Sequence, residues 1–143
     1  MPRIKLIEQE AYEFHYRAKL QPRDINYGGH LGNDSLVSLL GAARVNMLYA
    51  MSMSEGQLGD GETGVIMSDL AVNFKAEAFM HDEIVIDTHI GEFGRTGFRI
   101  FHRLKKEAVL VALAETGMIT FNYSIRKIAP VPDIFLKTLE TWK

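Results

Sequence analysis

Residues 34–54, DSLVSLLGAARVNMLYAMSMS, decide the fold. They predict one long helix, because Asn33 or Asp34 can cap its first amides and the glycine-containing segment 55–64 ends it. Since its apolar residues cover more than one stripe, we expect the helix to be enclosed on most sides. These apolar residues are Leu36, Val37, Leu39, Leu40, Ala43, Met47, Leu48, Ala50 and Met51.

Strand-like segments lie on both sides of this helix in the chain. The sequences GRTG (94–97) and KKEA (105–108) fit hairpin turns, which predicts that the later strands form an antiparallel meander. The predicted strands are 11–20, 64–78, 82–93, 96–107 and 108–125. In the third of them one face is expected to be buried and the other wetter, because Ile84, Ile86, Thr88 and Ile90 alternate with Glu83, Val85, Asp87 and His89.

A short helix is expected at the C-terminus, within VPDIFLKTLETWK (131–143). One long apolar helix facing one antiparallel sheet is an α+β layout in which the sheet must curl around the helix to cover it. This is the hot-dog arrangement: a five-stranded antiparallel sheet, one long central helix and a short C-terminal helix. A chain of 143 residues fits a single domain, which we expect to span residues 1–143.

The composition excludes several classes of protein. A net charge of −2 argues against a nucleic-acid partner, and the absence of Cys rules out disulfides and thiolate nucleophiles. The N-terminal residues do not resemble a signal peptide, and the longest apolar stretch, 36–51, is too short to span a bilayer. We therefore expect a cytoplasmic protein with no membrane partner.

The loop before the helix, PRDINYGGHLGND (22–34), holds the densest group of special-purpose residues. In a purely structural interpretation, its glycines make tight turns, its last residues cap the helix and His30 fills a polar niche. In a functional interpretation, the glycines let a ligand approach the backbone, and amides at the helix start favour a developing negative charge. The second interpretation describes an oxyanion site.

The loop resembles that of the hot-dog acyl-CoA thioesterases, including the 4-hydroxybenzoyl-CoA thioesterase-like group. That group commonly has D-x-D-x-x-G-H-V-N-N ahead of the central helix, where this chain has DINYGGHLGN (24–33). Later landmarks are similar at AAR (42–44), VNFKAEAFMHDEIVI (72–86) and KIAPVPD (127–133). The resemblance implies an acyl-CoA substrate, no separate cofactor beyond the coenzyme A of that substrate, and an active site between protomers.

One departure from the family pattern concerns the catalytic carboxylate. The family's acidic residue four before the His is Asn26 here, and a carboxamide is neither a base nor a good nucleophile at neutral pH. A second branch, with P-x-D-x-N-x-x-G, uses Asn at this point and an Asp on the helix, but that Asp falls at Gly41. Asp24, Asp34 and Asp69 are the remaining candidates, besides a carboxylate from a partner subunit.

The candidate catalytic residues are therefore Asn26, His30, Asp24 and Asp34. His30 fits two roles, one as a donor to the thioester carbonyl and one as a hydrogen-bonding residue across a dimer. Thr96 and Gly97 enter because the resemblance places them near the pantetheine channel. No paired spacing among the five His predicts a metal site. The candidate substrate-binding residues are Tyr27, Gly29, Leu31, Asn33, Asp69, Thr96 and Gly97.

The leading hypothesis is a homo-oligomeric acyl-CoA thioesterase. Amides near Leu31 to Asp34, with Asn26 or His30, would polarise the thioester carbonyl for attack by water. Met47 and Met51 could shape an acyl pocket or belong to the core. A hot-dog enoyl-CoA hydratase or dehydratase is one alternative, and a non-catalytic acyl-CoA-binding module is another. A homodimer or homotetramer is expected, because a single curled sheet leaves an edge strand exposed.

Overall fold

The computed structural model describes residues 2–143 and has the predicted hot-dog architecture. A single turn of 3-10 helix, Pro22–Asp24, follows the first strand. The helices are α1 (Asn33–Ala50) and α2 (Asp133–Glu140). The strands are β1 (Phe14–Lys19), β2 (Thr63–Phe74), β3 (Glu83–Gly94), β4 (Gly97–Lys106), β5 (Val109–Asn122) and β6 (Lys127–Ile128).

The strands form one antiparallel sheet in the order β1-β3-β4-β5-β2, with β6 paired to β5. Both predicted hairpins are present: Gly94 pairs with Gly97 at one turn, and Lys106 pairs with Val109 at the other. The five predicted strands are confirmed, and the two-residue β6 is the one addition among the described residues. In this order β1 and β2 are the two edges of the sheet. The segment after β2 meets the loop before α1 through the hydrogen bond from Leu31 N–H to Ala78 O.

The core lies between α1 and the inner face of the sheet. Around the first half of α1, Leu36 and Leu40 pack with Ile84, Ile86 and Leu104. Around its second half and α2, the buried residues are Met47, Leu48, Met51, Ile90, Phe98, Ile100, Phe135 and Leu139, among others. Met47 and Met51 are therefore core residues in this fold.

The environment of α1 differs from the sequence-based expectation in two respects. The helix ends at Ala50, because Met51 is its C-cap and Ser52 has a left-handed backbone with a φ of 62°. The expectation of enclosure on most sides is also wrong, since Val45 and Tyr49 are 52% and 80% exposed. The sheet of one protomer reaches only one side of the helix, so the opposite apolar side stays uncovered.

The alternation predicted along β3 fails at Asp87, which is only 5% exposed. The outer face of the sheet is covered there by the N-terminal segment, whose Tyr12 ring lies 4.4 Å from the guanidinium of Arg103. Arg103 in turn donates two hydrogen bonds to Asp87, at 2.7 and 3.0 Å. The N-terminal segment, which has no helix or strand periodicity, therefore buries Asp87, a position that the strand pattern predicted to be solvent-exposed.

Within residues 2–143, neither helix is long and apolar enough to cross a membrane.

Candidate functional site

The loop that precedes α1 is a tight turn organised around Asn26. The backbone N–H of Asn26 donates to His30 O at 2.9 Å, and Gly29 N–H donates to Asn26 O at 3.0 Å. The side-chain Oδ1 of Asn26 accepts a hydrogen bond from Gly28 N–H at 2.9 Å. Gly29 adopts a φ of 84°, a left-handed conformation that glycine adopts without strain. The carboxamide oxygen therefore shapes the loop, while the Nδ2 amide has no acceptor among the described residues.

Two hydrogen bonds hold the end of this loop, one to the segment after β2 and one to the start of the loop itself. Leu31 N–H donates to Ala78 O at 2.7 Å, and Gly32 N–H donates to Asp24 O at 2.9 Å. These two amides are consequently engaged within the protein. In this structure the Leu31 amide is therefore not open to a thioester carbonyl, and its role there stays a prediction.

The first turn of α1 presents backbone amides without partners among residues 2–143. Gly32 is the N-cap and no side chain caps the helix, so the predicted capping by Asn33 or Asp34 is wrong. Asn33 is instead the first helical residue, and its N–H, like those of Asp34 and Ser35, has no acceptor within the described chain. Unsatisfied amides and the helix dipole together give this end of α1 a partial positive charge.

A cavity of about 360 Å³ opens beside this helix end. Its polar lining comes from Asn26, His30, Asn33, Lys75 and Glu77. Its apolar lining comes from Leu31, Leu36, Phe74, Ala76, Ala78 and Val111. Among the residues that line it, Asn33 is the only one that also carries an open helix-end amide.

The polar side chains of the cavity lie close to one another. A carbon atom added at Gly28 would lie 3.2 Å from His30 Nε2 and 3.3 Å from Asn26 Oδ1, so the two side chains flank one point. The Oε1 atom of Glu77 lies 3.9 Å from His30 Nε2. The ring orientation of His30 is supported by a long contact of 3.4 Å between Nδ1 and Leu31 O. An amide, an imidazole and a carboxylate therefore lie close together in the cavity that Asn33 also lines.

The model of the thioesterase-like superfamily matches residues 20–139. The chain belongs to this superfamily. The resemblance drawn from the loop is confirmed, and so is the enzyme class that it implied, the hydrolases of thioester bonds. The matched range includes the loop, α1, the strands β2 to β6 and most of α2. A comparison with curated proteins finds no match.

Solved structures of several thioesterases share the fold. A 1,4-dihydroxy-2-naphthoyl-CoA thioesterase from Synechocystis is 19% identical with a TM-score of 0.78, over 88% of this chain and 94% of that one. A gentisyl-coenzyme A thioesterase is 18% identical with a TM-score of 0.75, over 87% and 98% of the two chains. A Staphylococcus aureus protein solved in complex with CoA is 13% identical with a TM-score of 0.78, over 90% and 82%. At these identities the likeness shows a common fold.

Asp24 is a structural residue in this thioesterase-like fold. Its side chain is only 9% exposed, and its Oδ2 accepts a hydrogen bond of 2.8 Å from Gln21 N–H, which caps the 3-10 helix. Its backbone oxygen accepts the Gly32 N–H. Asp24 does not line the cavity, and its role as a catalytic carboxylate stays a prediction.

Asp34, Tyr27 and Gly29 belong to the loop region but not to the lining of the cavity. The carboxylate of Asp34 is turned back beside the helix start, since a carbon added at Gly32 would lie 2.7 Å from its Oδ1. Tyr27 is fully exposed at the tip of the loop. Within one protomer these residues are neighbours of the cavity rather than part of it.

Asp69, Thr96 and Gly97 lie in a different region of the protomer. Thr96 and Gly97 line a shallow hollow at the β3–β4 turn, together with Ser68 and Arg99. Arg99 donates hydrogen bonds of 2.9 and 2.6 Å to the two oxygens of Asp69, and these hydrogen bonds hold the pKa of Asp69 below its usual range. Asp69 is therefore an ion-pair residue of the outer sheet surface, and its role in substrate binding remains a prediction, as do those of Thr96 and Gly97.

Glu77 is a cavity residue that sequence reasoning missed. It lies just after β2 in the sequence NFKAEA (73–78), where no spacing relates it to the loop. The signal available in advance was its position at the end of an edge strand, where loop residues often carry function. Among the described residues no group of three or more His, Asp and Glu side chains could hold a metal ion.

Proposed function

We propose that the protein is an acyl-CoA thioesterase whose active site is the cavity at the start of α1. The observation that carries this proposal is one cavity lined by Asn33, whose N–H has no acceptor among the described residues, by Asn26, whose Nδ2 has none either, and by His30. Thioester hydrolysis places a negative charge on the carbonyl oxygen, and preorganised N–H donors are the groups that stabilise it. The superfamily to which the chain belongs supports the same chemistry.

In this proposal the thioester oxygen accepts hydrogen bonds from Asn33 N–H and from Asn26 Nδ2. The partial positive charge at the start of α1 adds to these two donors, because it favours negative charge near this end of the helix. Water attacks the carbonyl carbon, the carbon–sulfur bond breaks and coenzyme A leaves as the thiol. Coenzyme A enters only as part of the substrate, and no cofactor or metal takes part.

The apolar wall of the cavity is the proposed site of the acyl group. Leu31, Leu36, Phe74 and Val111 give this wall a mixed aliphatic and aromatic surface next to the carbonyl position. Lys75 at its rim can bind a phosphate or another anionic part of the substrate. The solved CoA complex of a protein with the same fold supports a coenzyme A ligand for this architecture.

We further propose that the active form is a homo-oligomer in which β2 of one protomer faces a partner. In the protomer β2 is an edge strand that pairs with β5 on one side and with no strand on the other. Its Ile66 and Met67 are each 41% exposed. The open side of α1 exposes Val45 and Tyr49 as well. Pairing of two copies would cover apolar surface and an edge strand at once. Size-exclusion chromatography with light scattering tests this, and a monomer at micromolar concentration would contradict it.

The experiment for the proposed activity is steady-state release of thiol from a panel of acyl-CoA substrates that differ in chain length and aromatic content. We expect turnover of at least one member well above the buffer rate. Tight binding of all members without thiol release would identify an acyl-CoA-binding module instead. Conversion of an enoyl-CoA without thiol release would identify a hydratase. Each of these two results would overturn the proposed function.

A further inference from the structure

Glu77 lies in a segment whose backbone is held on both sides. Leu31 N–H donates to Ala78 O at 2.7 Å, and Ala76 N–H donates to Val111 O at 3.2 Å. The first of these hydrogen bonds ties the segment to the active-site loop, and the second ties it to β5. The position of Glu77 relative to the loop is therefore set by the fold, although the side chain itself is 63% exposed.

The carboxylate of Glu77 points toward the polar group of the cavity. Its Oε1 is 3.9 Å from Nε2 of His30. That nitrogen and Oδ1 of Asn26 both face the space beside Gly28, where an added carbon would lie 3.2 and 3.3 Å from them. A separation of 3.9 Å is longer than a hydrogen bond, which leaves both groups available to a water molecule or a substrate atom. Asn33, with its open amide, lines the same cavity.

No other carboxylate of the described chain lines this cavity. Asp24 is buried and caps the 3-10 helix, and Asp69 is paired with Arg99. Asp34 is turned back beside the helix start. The site thus has an amide at position 26 and one carboxylate, which comes from the segment after β2.

We propose that Glu77 is the general base of the hydrolysis, an inference that rests on the proposed thioesterase function. One oxygen of the carboxylate takes a proton from water while the water oxygen bonds to the carbonyl carbon, and the carbonyl π pair moves onto the oxygen held by Asn33 N–H. The C=O bond then re-forms and the carbon–sulfur bond breaks. The sulfur leaves with the bonding pair and accepts the proton from Glu77, which returns the carboxylate to its starting state.

His30 is a positioning residue in this scheme. Its Nε2 is 3.9 Å from the carboxylate of Glu77, so the ring limits how closely that carboxylate approaches the loop. A water molecule placed near Nε2 would contact both His30 and Glu77 because the two groups are less than two hydrogen-bond lengths apart. The base and the oxyanion donors would then act within one cavity.

The test compares wild-type enzyme with E77Q and E77D, and with E62Q as the matched control. Glu62 is exposed in the loop before β2 and lies outside the cavity, so its substitution should leave kcat and KM unchanged. We expect E77Q to lower kcat about 100-fold or more while KM stays within about threefold, as for loss of a general base. E77D should retain more activity than E77Q because it keeps a carboxylate.

The outcomes separate the two proposals. If wild-type enzyme releases no thiol from any acyl-CoA, the proposed function fails and the role of Glu77 fails with it. If wild-type enzyme is active and E77Q keeps at least half of its kcat, the assignment of Glu77 alone is overturned. A loss confined to KM would also overturn it. Unchanged thermal unfolding of E77Q, which the exposure of the side chain predicts, shows that any loss of kcat is not a loss of folding.

Discussion

His102 makes the stability of the fold depend on pH below about 6.5. The residue is 1% exposed on the inner face of β4, where its Nδ1 and Thr88 Oγ1 form a hydrogen bond of 2.9 Å. Its Nε2 has no partner among residues 2–143. Burial, and to a smaller extent the positive charge of Arg44, lowers the pKa of His102 from 6.5 to about 3. The imidazole is therefore neutral in the folded protein between pH 5 and pH 7.

The sign and size of the effect follow from proton linkage. In the unfolded chain His102 regains its ordinary pKa, so the unfolded state binds a proton as the pH falls below 6.5 while the folded state does not. Folding stability is consequently lost as the pH falls from about 6.5 toward 3. Between pH 7 and pH 5 this single group should lower the free energy of unfolding by about 2 kcal/mol.

Urea unfolding at pH 7 and pH 5 measures this difference, and a variant isolates the group responsible. In H102Q the titrating side chain is gone, so its loss of stability between the two pH values should be smaller than that of wild type by about 2 kcal/mol. In wild-type protein the ring-proton NMR signals of His102 should keep their neutral-form positions down to pH 5. A ring that titrates with a midpoint near 6.5, or equal pH dependence in the two proteins, would refute the reasoning. The NMR titration decides the matter even if H102Q folds poorly.

Four further substitutions have defined outcomes. N26D exchanges an oxyanion donor for a second anion in the cavity, so kcat for thiol release should fall at least about tenfold; a rise would contradict the proposed donor role. G32S places a side-chain oxygen where it can accept from the first amides of α1, and its Cβ requires the Asp34 side chain, 2.7 Å away, to move; kcat should fall several-fold, and unchanged kcat would contradict the need for an uncapped helix. G64A would force a side chain into backbone of the preceding loop, and its urea midpoint should show a loss of at least about 2 kcal/mol. D87N leaves Arg103 without its buried partner and should cost about 2 to 3 kcal/mol in urea unfolding, less than for a fully enclosed pair because Arg103 is 24% exposed; a midpoint within experimental error of wild type would contradict either of the last two predictions.

The general fold was predictable because its local signals agree. Alternation along the strands, turn sequences at 94–97 and 105–108, and one long apolar helix point to the same antiparallel layout. The errors concern contacts made by segments without a repeating pattern. Asp87 is buried by the N-terminal segment, which has no periodicity, and the open side of α1 carries apolar residues that the pattern cannot distinguish from those facing the sheet.

The candidate site was predictable only in the part that is local in sequence. Asn26, His30 and Asn33 stand out because glycines and a helix start surround them. Asp24 has the same residue type whether it caps a 3-10 turn or activates water, so composition could not separate the two roles. Glu77 is 47 positions after His30, and only the fold brings the two side chains within 3.9 Å. The carboxylate proposed as the base, that of Glu77, therefore lies outside the loop motif of residues 22–34.

The uncapped start of α1 connects these features. Most helices satisfy their first amides with a Ser, Thr, Asp or Asn side chain, which adds stability of about 1 kcal/mol over an apolar residue. Here Gly32 supplies no such side chain, while the amides just before the helix are used to fasten the loop to Ala78 and Asp24. The hydrogen bond from Leu31 to Ala78 thus has two consequences. It holds the backbone just before the next open amide, that of Asn33, and it brings the segment that carries Glu77 to the same cavity. One backbone contact sets the geometry of both halves of the proposed reaction, the donor to the carbonyl oxygen and the base for water.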